Sequence, residues 1–365
     1  MSPMKTPVYS AFLDLGAHMI ERLGFYVPQY FSDPKAEHLA VRQSAGLFEI
    51  FGQFFVDVSG SGSERFLQET MVADVGKLKD GRIVYCGILN DKGGMIDDVT
   101  CFRVDARRYW VVPAPSRRNV VAHYLADRSQ QYEACVVSLG YKYTSLSLQG
   151  PHSRDLLSKL SDLDLSSSAF PTFTFKVGKI AETDDVVVSR TGFTGELGYE
   201  LFVPSESADG VYRALVDRGA VPCGLGAMAS LRLEKKYALY GLDLTEETTP
   251  VEAGLGWTIV AKESQYPGKA VVEKQKLEGP SRMLVQLELE GNSPPALGAQ
   301  ISADGRPVGK VTSAGMGHFV GRPLAMGYVE APVATEGMSV VVDGGFVAKV
   351  RTTPIYDPKS QRLRG

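Results

Sequence analysis

Residues 82–114 constrain the fold more than any other part of the chain. They read RIVYCGILNDKGGMIDDVTCFRVDARRYWVVPA: two runs rich in β-branched and aromatic residues around Asn90-Asp91-Lys92-Gly93-Gly94, then a third after Asp105-Ala106-Arg107. Asn, Asp and Gly accept the backbone angles that tight hairpin turns require, so the spacing predicts a three-stranded antiparallel meander. Glycine at 38 residues and proline at 20, in a chain of 365, supply the turns of a β-rich protein. That length exceeds one ordinary domain and implies two or three, at roughly 150 residues each.

The flanking segments alternate between helical and strand texture. Residues 34–50 read as a helix opened by Pro34 and closed at Gly46. The run FFVDVSG (54–60) alternates as a strand, and Ser63 is placed to cap a helix turning Phe66, Leu67, Thr70 and Met71 inward. This strand, Gly-x-Gly turn and helix imitate a dinucleotide fingerprint, but Arg65 stands where the third glycine belongs. YTSLSLQ (143–149) is a strand, broken at Gly150-Pro151 before another helix, and residues 185–204 form two strands around a glycine-rich turn. A helix capped by Ser205 or Ser207 stops near Gly219, and a further helix is predicted over 226–241. From about Arg282 onward, short alternating runs split by Gly and Pro mark a small all-β domain, with its boundary near residues 276–280.

Charge and residue spacing exclude several functions. The net charge is −3 and the charges are scattered, so no basic stripe exists for nucleic acid or an anionic membrane. Asp14, His18, Glu21 and Arg22 interrupt the N-terminal region, which reads as neither a signal peptide nor a spanning helix; a cytoplasmic protein is expected. Cys86, Cys101, Cys135 and Cys223 are far apart and are expected to be buried small hydrophobes. The five histidines show no ligand spacing, so no metal site is expected.

Two segments carry candidate chemistry. Asp97 and Asp98 enter the second meander strand as neighbours, so they face opposite sides and cannot form one paired dyad. Asp97 shares a face with Val99 and Cys101, and Asp98 with Thr100 and Phe102. Spacing alone reads them either as solvated turn-flanking residues or as partly buried carboxylates with raised pKa values. In the segment 190–204, Glu196 and Glu200 lie among glycines that let a flat ligand approach, and each could accept the paired N–H groups of a guanidine-like edge. The alternative there is a plain hairpin with exposed glutamates. Arg232 falls on a helix face without its leucine neighbours, as a solvated residue would, or as one reaching a carboxylated ligand tail.

Six segments, in order and over nearly the whole chain, resemble the tetrahydrofolate-dependent aminomethyltransferase family, the T-proteins of glycine cleavage and their relatives. They are EHLAVRQSAGLFEI (37–50), VYCGILNDKGGMIDDVT (84–100), LSLQGPHS (146–153), RTGFTGELGYELFVP (190–204), CGLGAMASLRLEKKYALYG (223–241) and PVEAGLGWTI (250–259). The resemblance implies an α+β fold, a three-domain cloverleaf with a central folate cleft and a C-terminal β-barrel. The expected domains are residues 1–50 with 139–280, an inserted unit at 51–138, and the barrel at 281–365. It implies tetrahydrofolate as cofactor, Asp97 beside the reactive folate nitrogens, and Glu196 or Glu200 at the pterin edge. Tyr85 would line the pterin pocket, Arg232 would meet the glutamyl tail, and Tyr240 would complete the folate-binding set.

The sequence departs from T-proteins at three places. Phe51-Gly52-Gln53 replaces Ser-His-Met, Val112-Pro113-Ala114 replaces Val-Asn-Ala, and Ala227-Met228-Ala229 replaces Ala-Arg-Asp. Residues 230–255 and 311–329 are closer in texture to the folate-binding portion of dimethylglycine and sarcosine dehydrogenases, yet no flavin fingerprint is present. The expected activity is therefore methyl or aminomethyl transfer from a small methylated substrate to tetrahydrofolate, a stand-alone demethylase. The alternatives are a T-protein served by a lipoyl carrier protein, and the folate-binding subunit of an amine oxidase complex with a flavin subunit. A non-enzymatic relative assisting iron–sulfur assembly would carry Lys-Gly-Cys, whereas Lys269 here follows Tyr266-Pro267-Gly268 with no cysteine after it.

Overall fold

The computed structural model describes residues 2–365, which form an α+β protein with four sheets. The meander is present: strands Ile83–Leu89, Met95–Asp105 and Arg108–Val112 lie side by side, and Val56–Ser59 and Cys135–Ser138 extend them to five. A bulge pairs Ile88 with Asp97 but Leu89 with Met95, so Ile96 is the extra residue just before the two aspartates.

The six-stranded sheet runs in the order Phe175–Ile180, Thr183–Ser189, Gly198–Pro204, Tyr143–Gln149, Gly46–Glu49, Val221–Pro222. Its two faces differ. Leu47, Leu146, Leu148, Tyr199, Leu201 and Val203 pack under the helices Tyr9–Asp14, Ser153–Leu157 and Ala208–Asp217. On the opposite face, Phe48 meets Val41 and Leu231 from the helices Pro34–Gln43 and Leu225–Glu234. At the other end of that face Phe175, Val187 and Phe202 pack on Phe55, Ile83, Phe102 and Trp110 of the meander sheet, with Phe55 and Phe202 ring centroids 4.3 Å apart. Between these two apolar contacts that face is polar, carrying Ser145, Ser147 and Glu200, and we call it the cleft face.

The third module is a closed six-stranded barrel built from Arg282–Leu289, Gln300–Ala303, Arg306–Gly317, Arg322–Glu330, Ser339–Val342 and Phe346–Arg351. Val285, Leu287, Ile301, Val329, Val340 and Val350 fill it, as the alternation of its short runs implies.

Local chemistry moves several helix ends from their expected places. Asp33 caps the first long helix by accepting Ala36 N–H at 2.9 Å, but that helix ends at Gln43 and Gly46 begins a strand. Gly62, rather than Ser63, occupies the cap position of the next helix; the Ser63 hydroxyl donates backward to Gly60 O. The helix expected over 226–241 stops at Glu234. Lys236 takes φ +57°, Tyr237 N–H reaches Arg232 O and Lys236 N–H reaches Leu233 O, the paired bonds of a left-handed helix stop.

Candidate active site

The cleft faces inherit their direction from the apolar plug beside them. Side chains two apart on a strand share a face. Phe102, inside the plug, is therefore followed by Thr100 and Asp98, Ile83 by Tyr85, and Phe202 by Glu200. The half-buried Tyr85 donates its hydroxyl to Asp98 Oδ2 at 2.9 Å, and its ring stacks on Trp257 at 5.8 Å, which is 65% exposed.

Asp97 points to the other side of the strand and is fully buried. Its Oδ2 accepts Ala114 N–H at 2.9 Å, while Oδ1 has no partner. Burial, then the charge of Asp98, pushes the Asp97 carboxyl well above the usual range, with the Ala114 bond and the nearby Arg117 opposing. Burial also raises Asp98, to about 6, against the pull of the Tyr85 hydroxyl. The environment thus favours the protonated form of Asp97 more than an ordinary aspartate's would, with burial the main cause. Arg117 donates to Ile96 O at 2.8 Å and to Glu246 at 2.5 Å, and lies 4.8 Å over the ring of Tyr240, whose hydroxyl donates to Met95 O at 3.1 Å.

The two glutamates separate cleanly. Glu196, 1% exposed, accepts from Arg42 Nη1 at 3.0 Å and from the Tyr356 hydroxyl, with Arg362 at 3.5 Å. Arg42 in turn bonds Glu234, which also holds His38, so Glu196 belongs to a saturated internal network. Glu200 stands on the cleft face. Its Oε2 accepts the Thr191 hydroxyl at 2.5 Å, Thr191 is bonded to Ser189 at 2.6 Å, and burial raises the carboxyl.

Two family models cover this architecture: the GCVT N-terminal domain over residues 8–263 and the glycine cleavage T-protein C-terminal barrel domain over residues 282–357. The chain belongs to the glycine cleavage T-protein family. Similar proteins include the aminomethyltransferase of Halothermothrix orenii, 39% identical over 342 residues, covering 93% of this chain and 95% of that one. The aminomethyltransferase of Thermus thermophilus is 39% identical over 354 residues, 95% of each chain. The crystal structure of glycine cleavage system aminomethyltransferase T from Bartonella henselae superposes with TM-score 0.90 at 29% identity, over 98% of this chain and 99% of that one.

Within this T-protein fold, Arg232 is not the solvated residue its helix position suggested. It is 5% exposed and donates to Asp243 at 2.6 Å, Ser313 of the barrel at 2.7 Å and Tyr237 O at 3.1 Å, which leaves Nε without a partner. Cys135 is exposed, contrary to expectation, because it lies in an edge strand of the five-stranded sheet; the other cysteines are buried. Among the described residues no group of acidic, His or Cys side chains is placed to hold a metal, and no helix is long and apolar enough to cross a membrane.

Sequence reasoning missed Arg117, Trp257 and Ser147. Ser147 had a signal: the alternation LSLQ puts it opposite the leucines. Trp257 had a weaker one, as a large aromatic directly after Gly256. Arg117 had none, since its role depends on folding against Met95–Asp105.

Proposed function

We propose that the chain is a tetrahydrofolate-dependent aminomethyltransferase that takes its carbon from a lipoyl-bound carrier. What supports this reading is full-length similarity to proteins named aminomethyltransferase, which favours the lipoyl alternative over the small-molecule demethylase expected from the three departures. The donor set fits the folate. Glu200 offers acceptors to a guanidine-like edge, Tyr85 and Trp257 offer aromatic faces, and Asp97 Oδ1, Ser147 Oγ and Arg232 Nε are buried atoms without partners.

Tetrahydrofolate supplies the nitrogen nucleophiles that take up the carbon. Asp97 is the acid–base group: from its partnerless side it relays the two protons displaced from the folate nitrogens, as these bond the carbon, to the two leaving groups, the amine and the lipoyl sulfur. Burial, and then the charge of Asp98, which Tyr85 fixes in place, raise the Asp97 carboxyl. Glu200 anchors the pterin and Arg232 Nε meets the glutamyl tail. No covalent enzyme intermediate is required, so most of the gain comes from proximity.

A small methylated donor remains the second reading. It draws on Gln53, whose side-chain oxygen accepts the Ser145 hydroxyl at 2.6 Å on the cleft face, and on Pro113, next to the Ala114 amide that holds Asp97. One assay separates them: aminomethylated lipoyl carrier against a panel of N-, O- and S-methyl compounds, with the folate product identified by mass. Methylenetetrahydrofolate and ammonia from the carrier are expected. An inert carrier, with turnover of a methyl donor, would replace this reading by the demethylase; dependence on a co-purifying flavin subunit would replace it by the oxidase-complex role.

A further inference from the structure

The strand Tyr143–Gln149 turns Leu146 and Leu148 under the helices and Ser145, Ser147 and Gln149 to the opposite face. Ser145 donates to Gln53 at 2.6 Å. Gln149 donates to Thr191 O at 3.2 Å and accepts the Thr194 hydroxyl at 3.0 Å. Ser147 is 1% exposed and its hydroxyl has no partner. A hydroxyl in that state weakens the fold, since it has left water and gained no bond in exchange. Its surroundings say what would satisfy it. In register, Ser147 is flanked by Phe48 on one side and Glu200 on the other. Side chains directly opposite in an antiparallel pair have Cβ atoms about 5 Å apart. Glu200 commits Oε2 to Thr191, which leaves Oε1 free of protein partners on the same face of the sheet as the Ser147 hydroxyl.

We infer that Ser147 Oγ and Glu200 Oε1 together recognise the amino group of an aminopyrimidine edge, here the 2-amino group of the pterin. An exocyclic amino group carries two hydrogens. A single carboxylate oxygen takes one of them, and the serine hydroxyl, as an acceptor, takes the other. The inference rests on the folate reading above and adds to it a residue that fixes which heterocycle the cleft admits.

The test is binding, independent of turnover. Quenching of tryptophan fluorescence gives the dissociation constants of 5-formyltetrahydrofolate and of an analogue with the 2-amino group replaced by methyl, for the wild type, Ser147→Ala, Glu200→Gln and the double variant. Ser147→Ala weakens the amino ligand about three- to tenfold, as for one hydrogen bond. It leaves affinity for the methyl analogue unchanged, and leaves the melting temperature of the ligand-free protein unchanged or raised, because a partnerless hydroxyl is gone. In the double variant the two losses are less than multiplicative, as expected for groups sharing one amino group. Wild-type affinity in Ser147→Ala, or equal weakening of both ligands, overturns the inference alone while Glu200→Gln still weakens binding. No effect of either substitution overturns the folate assignment of this face as well.

Discussion

Two groups of carboxylates, one around Arg42 and one around the pair Asp97-Asp98 with Glu200, differ in whether their charges are matched. Around Arg42, Glu196 and Glu234 are paired with cations at 2.9–3.0 Å, and Arg42 packs 3.7 Å over the Tyr356 ring. Glu234 also accepts Phe319 N–H at 2.8 Å and Val320 N–H at 3.1 Å. Burial raises it, but the His38 and Arg42 interactions bring it below the ordinary value; at Glu196 burial outweighs the Tyr356 and Arg42 contributions. Asp98 and Glu200 on the cleft face, and Asp97 on the other side of the same strand as Asp98, are held by two hydroxyls and an amide, and none forms an ion pair among the described residues. All three are raised, with burial the main cause. The matched group ties helices, hairpin and barrel together. The unmatched group is satisfied only by neutral donors, and Asp97 Oδ1 has no protein partner.

Breaking the matched group has the largest effect. Arg42→Met leaves Glu196 and Glu234 buried without their cation, and is expected to cost about 3–5 kcal/mol of stability in denaturant unfolding. A loss below about 1 kcal/mol would mean that these charges are not a structural unit. In the unmatched group the readout changes from stability to rate. Asp97→Asn should lower turnover by about a hundredfold while the melting temperature and folate affinity stay close to wild type. A near-normal rate would pass the acid–base role to Asp98.

The two glutamates, four residues apart, sharpen the contrast. Glu200→Gln should weaken tetrahydrofolate by about 1.5–3 kcal/mol, the range for a hydrogen bond to a charged group, with little change in stability. Glu196→Gln should do the reverse, because it removes the charge facing Arg42 and leaves the cleft intact. Exchanged phenotypes would place the pterin on the Arg42 side of the hairpin.

That pair also marks how far sequence alone could see. The meander and the barrel were legible because turn residues and period-two alternation are local properties, and the acid pair was legible because it follows a turn. Choosing between Glu196 and Glu200 was not possible, since Glu196 precedes the strand Gly198–Pro204, where no alternation assigns a face, and its partner Arg42 lies more than 150 residues away. The burial of Arg232 was hidden for the same reason: Asp243 and the barrel's Ser313 meet it through tertiary packing. The Tyr85–Asp98 bond needed the register, which sets Tyr85 opposite Thr100 and so diagonal to Asp98.

The smallest expected effect is a pH dependence, and its sign follows from the unmatched state of Asp98. In the unfolded chain this carboxyl ionises near its ordinary value of 3.8, and in the folded protein at about 6. The folded state therefore binds the proton more tightly, and stability falls as pH rises from about 4 to about 6, then levels off. Discounted for the partial exposure of the side chain, the change is about 1–2 kcal/mol. Asp98→Asn removes it, so the melting temperature of the variant minus that of the wild type should climb by a few degrees between pH 4 and 6.5 and stay flat above. An ion-paired aspartate would give the opposite slope, gaining stability as pH rises through its depressed pKa. A difference curve that falls over this interval would therefore show that Asp98 has a cationic partner in solution, and would move it from the unmatched group to the matched one.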